Sequence, residues 1–519
     1  MIFRPSLLCS MLVTLAVGQK SKPNIIFILT DDQDVHMQSM DYMPLLKKYI
    51  ADEGTLYQRH YCTTAICCPA RVSILTGKLA HNTNVTDLIL PYGGYPKFVQ
   101  EGLNSNYLPI WLQDGGYNTY YTGKLFNVHT VDNYNDPHPA GWTSSDFLLD
   151  PFTYSYWNAT WQRDSEPPIS HEGTYNTDDL AEKTINYIRE AHAAGKPFFL
   201  TSAPIAPYNE AVVPEMPDIW TSTPDDPALR PRLLPPQPAK RHEHLFLDVK
   251  VPRTPNFNPD RPSGVKGVAR LPKLNQTSLD YNDNYFRLRL QSLQAVDEMV
   301  ERVVLELESL GIKARPDFDG LSVPLSRNEI NQGAKASAEH LGIEFWGILG
   351  DESWHSTAIP GNTYKGVRIQ SKDYNLYYAV HCTNEHELYD MTVDPYQLNN
   401  LLPSGPNGTG MPIESYAKSK VKVERRPLLT IISRLDAIMA VMKSCKGTTC
   451  TNPWKVLHPK GDVKNLRDAL KTRHDAFYLE SAKENSVSFS MCAVGYLASN
   501  ESPQQPSIYG RDGGWSILT

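Results

Sequence analysis

Short apolar runs alternating with amphipathic ones organise the first part of the chain. Asn24 to Thr30 (NIIFILT) is continuously apolar and β-rich, and it stops abruptly at Asp31, Asp32, Gln33 and Asp34. Such a run is the signature of a strand buried within a parallel sheet. YNTYYTGK, ending on Lys124, and KPFFLTSAPIAPY, ending near Tyr208, repeat the form. MPLLKKYIADEG and YLPIWLQDGG carry helical spacing and stop at glycine. Strands alternating with helices predict a layered, predominantly parallel α/β domain, whose ligand crevice lies beyond the carboxyl ends of the strands. Leu293, Val296, Val300, Val303, Leu307 and Leu310 then fall on one helical stripe, which must pack on the sheet before Gly311 ends the helix.

Beyond Ile312 the rhythm changes. An α/β domain would next supply a strand, yet the next strand-like run is IEFWGIL, from Ile343 to Leu349. TYKGVRI, YNLYYAV and HELYDM, rich in β-branched and aromatic residues, predict an antiparallel sheet. PLLTIISRLDAIMAVMKSC reads as a helix against it, and Asp394-Pro395 as a turn. A chain of 519 residues exceeds what one core usually serves. The reading is an α/β domain over 19–325 and a smaller C-terminal α+β domain over 326–519. Between Pro204 and Pro272, prolines exclude long helices and central strands, and the scattered Trp, Phe, Arg and His there favour an ordered pocket wall over disorder.

The first 18 residues place Arg4 before an apolar run that closes on Ala16-Val17-Gly18, the pattern of a cleavable signal peptide. No later run reaches the roughly 18 apolar residues of a membrane span, so a secreted or luminal product is expected. Asn84, Asn158, Asn275, Asn407 and Asn500 head glycosylation sequons. A net charge of −7 without basic runs interleaved with aromatics argues against a nucleic-acid partner. Without Cys9 of the signal, seven cysteines remain: Cys62, Cys67, Cys68, Cys382, Cys445, Cys450 and Cys492. An odd number in a secreted chain implies a free thiol, an intermolecular bridge or a modified residue. Cys445 and Cys450 form the easiest local loop; if one of the adjacent pair is otherwise consumed, three disulfides are possible.

That pair lies in CCPARVSILTG, residues 67–77, which matches CxPxRxxxLTG at Cys67, Pro69, Arg71, Leu75, Thr76 and Gly77. With PNIIFILTDDQD, GKLAHN, YYTGKLFN and HELYDMTVDPYQLNNLL, the chain resembles the type I sulfatases of the alkaline-phosphatase-like superfamily, arylsulfatases and N-acetylglucosamine-6-sulfatases in particular. The resemblance implies that Cys67 is oxidised to Cα-formylglycine by a formylglycine-generating enzyme. The hydrated aldehyde would attack the sulfur of an aryl or glycan sulfate ester with one hydroxyl and expel sulfate with the other, which a serine or thiol lacks. It further implies calcium, sometimes magnesium, held by Asp31, Asp32 and Cys67. Arg71 would stand one helical turn from Cys67 on the same face, and Lys124 with Asn127 would contact sulfate. Blander alternatives exist for each residue: a disulfide through Cys67, a capping Arg71, a surface Lys124.

Two departures from the family pattern stand out. Tyr208 occupies the place of a usual histidine, so His129 becomes a candidate for protonating the leaving group. After Ile312 the family's DNG or DHG stretch, with two more metal ligands, and a second sulfate-binding lysine are missing, and KARPDFDGLSVP follows directly. A weakened isoform or binding protein is therefore an alternative to a working hydrolase. A phosphoester hydrolase is the other, although such relatives use Thr or Ser as nucleophile.

Overall fold

The computed structural model describes residues 22–33, 35–54, 56–57, 60–212, 232–312, 339–347, 361–405 and 410–504, with the backbone of 349–350 and 358–359. The signal peptide, Asp34, Asn407, the KARPDFDGLSVP run and the 325/326 boundary lie outside these residues.

Six strands form the main sheet: β1 (Ile25–Ile28), β2 (Asn118–Gly123), β3 (Ser144–Leu148), β4 (Thr160–Arg163), β5 (Ile169–Ser170) and β6 (Phe198–Ala203), in the order β1-β6-β2-β3-β4-β5. The first four in that order are parallel, and β4 and β5 add antiparallel pairs at one edge. The three apolar runs read from the sequence thus become adjacent parallel strands. Helices α1 (Cys67–Thr76), α2 (Leu108–Asp114), α3 (Asn176–Ala193) and α4 (Gln276–Ser309) pack around them. The α4 stripe, with Leu293, Val296, Met299, Val303 and Leu307, shares a core with Leu180, Ile185 and Ile188 of α3 and with Phe198 and Leu200 of the sheet. Among the described residues, β1 pairs on one side only and its four residues stay half-buried, whereas β6 is buried throughout. An apolar strand left at an open edge is unusual.

The second sheet is antiparallel, in the order β10 (His386–Asp390), β9 (Asn375–His381), β8 (Tyr364–Gln370), β7 (His340–Phe345). Strand β7 begins three residues before the apolar run because His340 and Leu341 already pair with Ile369 and Arg368. Val367, Leu376, Tyr378 and Leu388 from the sheet close a core with Ile431, Leu435 and Ile438 of α5 (Leu428–Met442), and α6 (Asp475–Glu484) follows. The expected turn is structural: the Asp394 carboxylate accepts the Leu398 and Asn399 amides at 2.9 and 2.8 Å. Within the described part of the Pro-rich stretch, Pro235, Pro236 and Pro238 line a cavity of about 390 Å³ with Trp157, Lys240 and Leu288, while residues 213–231 lie outside the described residues.

Four cysteines are paired, Cys382–Cys492 and the local Cys445–Cys450. Cys62, Cys67 and Cys68 are free thiols. There are thus two bridges rather than the three that parity allowed, and Cys68 is fully buried in the α1 core with Val72 and Tyr95.

Candidate active site

The site is assembled at the carboxyl ends of β1, β2 and β6 and the amino end of α1. Ile66 is extended and Cys67 is the first helical residue, with Pro69 tolerated in the first turn. Gly77, at φ 65°, stops the helix in the left-handed conformation that glycine adopts freely. Cys67 therefore sits where unpaired backbone N–H groups and the helix dipole favour negative charge. Gly123 closes β2 at φ 106°, where a Cβ would meet the Ala203 carbonyl oxygen at 2.2 Å. The glycine of the GK pair lets β2 approach β6 closely and delivers Lys124 to the strand end.

Asp31 is the hub. Its Oδ1 accepts a hydrogen bond from Arg71 Nη2 at 3.1 Å and its Oδ2 one from Lys124 Nζ at 2.5 Å, all three side chains being at most 4% exposed. Arg71 Nη1 also donates to the Lys124 carbonyl at 2.6 Å, an oxygen that accepts the Tyr121 hydroxyl as well. Burial alone would raise the Asp31 pKa, but Lys124 and Arg71 outweigh it and hold it below the usual value. Conversely burial would lower the Lys124 pKa, and the charge of Asp31 reverses the sign. Asp32 takes a left-handed φ of 57° and keeps much of its surface in solvent. Its pKa is raised by desolvation and then by Asp31. Arg289 of α4 clamps the loops by donating to the carbonyls of Asp32 at 2.6 Å and Pro207 at 3.2 Å.

Cys67 completes the cluster. Asp31, Asp32 and Cys67 each offer a ligand atom, all within 4.8 Å of one another; with an oxygen-bearing group at position 67, the donor set would fit one face of a hard divalent cation. Burial, then Asp31, push the Cys67 thiol up to about 12. A thiolate is disfavoured here, so an unmodified Cys67 is a poor nucleophile.

Lys124 Nζ lies over the rings of Tyr154 and Tyr208, 4.6 and 5.3 Å from their centroids, so Tyr208 does border the site. Asn127 Nδ2 donates to the Tyr154 hydroxyl at 2.8 Å, while its Oδ1 is buried with no protein partner. His129 is a different matter. It is fully buried, packed 4.5 Å from Tyr95 and 5.3 Å from Phe147 by ring centroid, and burial drives its pKa to about 3. An imidazole that stays neutral keeps only a weakly acidic N–H, so this packing favours a core role for His129 over protonating a leaving group. Tyr154, Arg289 and Asp150 escaped the sequence reading. The Asp150 carboxyl, buried and raised by desolvation to about 6, accepts the Val128 amide at 2.7 Å and feels the charge of Lys124. None of the three lies in a recognisable motif; DPFTYSYW shows only aromatics beside a turn.

Acidic strand ends, a helix-opening cysteine and buried cations define an anion-handling centre in a layered α/β fold. The sulfatase family model matches residues 23–315, more than half of the chain, and the chain belongs to the sulfatase family. An arylsulfatase of Volvox carteri is 31% identical over 567 aligned positions, covering 90% of this chain and 81% of the relative. An arylsulfatase of Chlamydomonas reinhardtii is 32% identical, covering 92% and 83%. An N-acetylglucosamine-6-sulfatase of Capra hircus is 26% identical, covering 83% and 85%. A solved structure of a protein in complex with its substrate D-glucosamine-2-N,6-O-disulfate superposes with a TM-score of 0.50 at 18% identity, covering 73% of this chain and 93% of that one, and shows the same fold. Because 90% of 519 residues is about 467, the Volvox carteri alignment of 567 positions leaves about 100 of them facing gaps in this chain.

Proposed function

We propose that the chain is a sulfuric ester hydrolase of arylsulfatase type that uses Cys67, as formylglycine, to attack the ester sulfur. The observation that carries this reading is the convergence of Asp31, Cys67, Arg71 and Lys124 in one buried cluster. The formylglycine and a divalent cation, calcium by the resemblance, supply the hydroxyl nucleophile and positive charge; Asp31, Asp32 and position 67 would hold the cation. The chain's own residues do the rest. Arg71 and Lys124 set two positive charges around the pocket floor, and the α1 N-terminus adds its dipole, so an anionic ester is drawn in and its developing charge is stabilised. Tyr154 and Tyr208 fix the lysine beneath their faces, and Asn127 presents an amide beside it. Arg289 holds the Asp32 and Pro207 loops in register. Secretion, glycosylation and maturation by the formylglycine-generating enzyme belong to the same reading; among the described residues no helix is long and apolar enough to cross a membrane.

The open edge of β1 and the gapped alignment favour a second feature: this chain has part of the metal site only, and its turnover is reduced relative to a longer form. The test is hydrolysis of an aryl sulfate against an aryl phosphate by protein from a secretory host, with Cys67→Ala as control. Preference for the sulfate, abolished in Cys67→Ala, is expected. Equal activity in the variant, or preference for phosphate, refutes the reading.

A further inference from the structure

A second cluster of ligating side chains lies in the C-terminal domain, outside the sulfatase site. His458 follows a short helix, Pro453–Leu457; Asp462 closes the loop HPKGD; His474 immediately precedes α6. The Asp462 carboxylate stands 3.9 Å from His458 Nδ1 and 3.7 Å from His474 Nε2, and one ligand atom from each residue lies within 4.8 Å of the others. The two imidazole rings meet edge to face, with centroids 4.9 Å apart. We infer that His458, Asp462 and His474 form a site for a zinc-type divalent cation, with a fourth position open to solvent.

Four observations carry this. Two imidazoles and a carboxylate are the ligand types a borderline cation prefers, whereas the all-oxygen set at Asp31 and Asp32 suits a hard one. In a tetrahedral zinc site with bonds of about 2.0 to 2.2 Å, neighbouring donors stand roughly 3.3 to 3.5 Å apart, so the two Asp462–histidine separations need to close by only a few tenths of an ångström, and the two imidazole donors, within 4.8 Å of each other, by at most about 1.5 Å. The Asp462 side chain is 41% exposed and free to adjust, and the histidines, at most 9% exposed, need only small ring movements. Second, His458 is already oriented: its Nε2 hydrogen-bonds the Tyr478 hydroxyl at 2.9 Å, leaving Nδ1 toward Asp462. Zinc-ligating histidines characteristically have their other nitrogen held in this way. Third, a cationic group already bridges two of the three ligands, since Arg473 Nε donates to His474 Nε2 at 3.0 Å while its Nη2 lies 3.8 Å from Asp462 Oδ2. That guanidinium is 59% exposed and can swing into solvent when a metal displaces it. Fourth, the bridge would be anchored, because Arg434 of α5 stacks over Tyr478 and pairs with Asp475 beside His474. A bound ion would tie the 458–474 loop to the α5–α6 core.

The test is titration of the full chain with zinc by calorimetry, in millimolar calcium so that the oxygen site is saturated, and with cobalt followed by visible absorption. One zinc per chain at micromolar affinity or tighter is expected, with intense cobalt d–d bands of tetrahedral N/O coordination. Asp462→Ala, at an exposed position, and His474→Gln each weaken binding at least tenfold and erase the bands, with the circular dichroism spectrum unchanged. Tyr478→Phe, which removes the outer hydrogen bond, lowers affinity about 10- to 100-fold. Asp32→Asn, which keeps the buried ion pairs of Asp31, leaves zinc binding intact. Zinc affinity no better than millimolar, binding unaffected by Asp462→Ala and His474→Gln, or binding lost in Asp32→Asn would each overturn the assignment.

Discussion

Replacing Asp31 with asparagine removes the one buried negative charge that touches both Arg71 and Lys124, and the structure sets the scale of the loss. At contacts of 3.1 and 2.5 Å, the two pairs attract by roughly 5 and 7 kcal/mol at an effective dielectric of about 20. Desolvation offsets much of that in the native protein, but breaking a buried pair from one side leaves the partners uncompensated, at a cost of about 3 to 5 kcal/mol. At 4% exposure there is no solvent to screen the two cations. Lys124 relieves part of the strain by shedding its proton, since the charge of Asp31 is what holds its pKa up against burial. The double variant Asp31→Asn/Lys124→Met should therefore be less damaged than the sum of its parts by about 1 kcal/mol or more. Asp31 has a folded pKa below the usual aspartate value of 3.8, so its contribution is present above that value and fades as pH falls through the folded one. The difference between wild type and Asp31→Asn should shrink in acid. Urea unfolding by circular dichroism at pH 7 and pH 3, with EGTA to exclude calcium, measures all of this. Asp31→Asn within about 0.5 kcal/mol of wild type at pH 7 would refute the argument.

Lys124→Ala should lower aryl sulfate turnover by about 10² to 10³, as removal of a preorganised electrostatic contact does, measured by steady-state kinetics. Glu344→Gln should destabilise the chain by about 3 to 5 kcal/mol in urea titrations; the Glu344 carboxylate accepts His81 Nδ1 at 2.7 Å from the first domain and Lys365 Nζ at 2.9 Å from the second sheet. Asp436, raised by burial to about 7, favours the fold below its unfolded value near 4, and that stability is lost as pH rises through 7. Asp436→Asn should flatten this slope and exceed wild type in stability at pH 8. A version carrying the family segment after Ile312 should bind calcium more tightly by calorimetry and turn over faster by a factor of about 10² or more.

Much of the site was legible in the sequence because it is built from ends of elements. The three apolar runs had to be adjacent parallel strands, and their terminal Asp31, Lys124 and Tyr208 had to emerge on one side. The spacing of Cys67 and Arg71 placed them on one helix face. What periodicity could not show was tertiary: His129 follows a motif but is turned into an aromatic core, and Arg289 reaches the strand ends from a helix some 250 residues away in sequence. Tyr154 and Asp150 sit on a loop whose path no local pattern encodes. Cysteine parity allowed three bridges, whereas two form and Cys62 and Cys68 stay unpaired.

The central claim rests on the fate of Cys67, and peptide mass spectrometry of protein made in a secretory host, paired with aryl sulfate hydrolysis by the same sample, tests it most directly. An aldehyde at Cys67 beside an unmodified Cys68, with activity rising with the fraction of aldehyde, is the predicted result. Sulfate hydrolysis by protein whose Cys67 is wholly thiol or disulfide-bonded would contradict it.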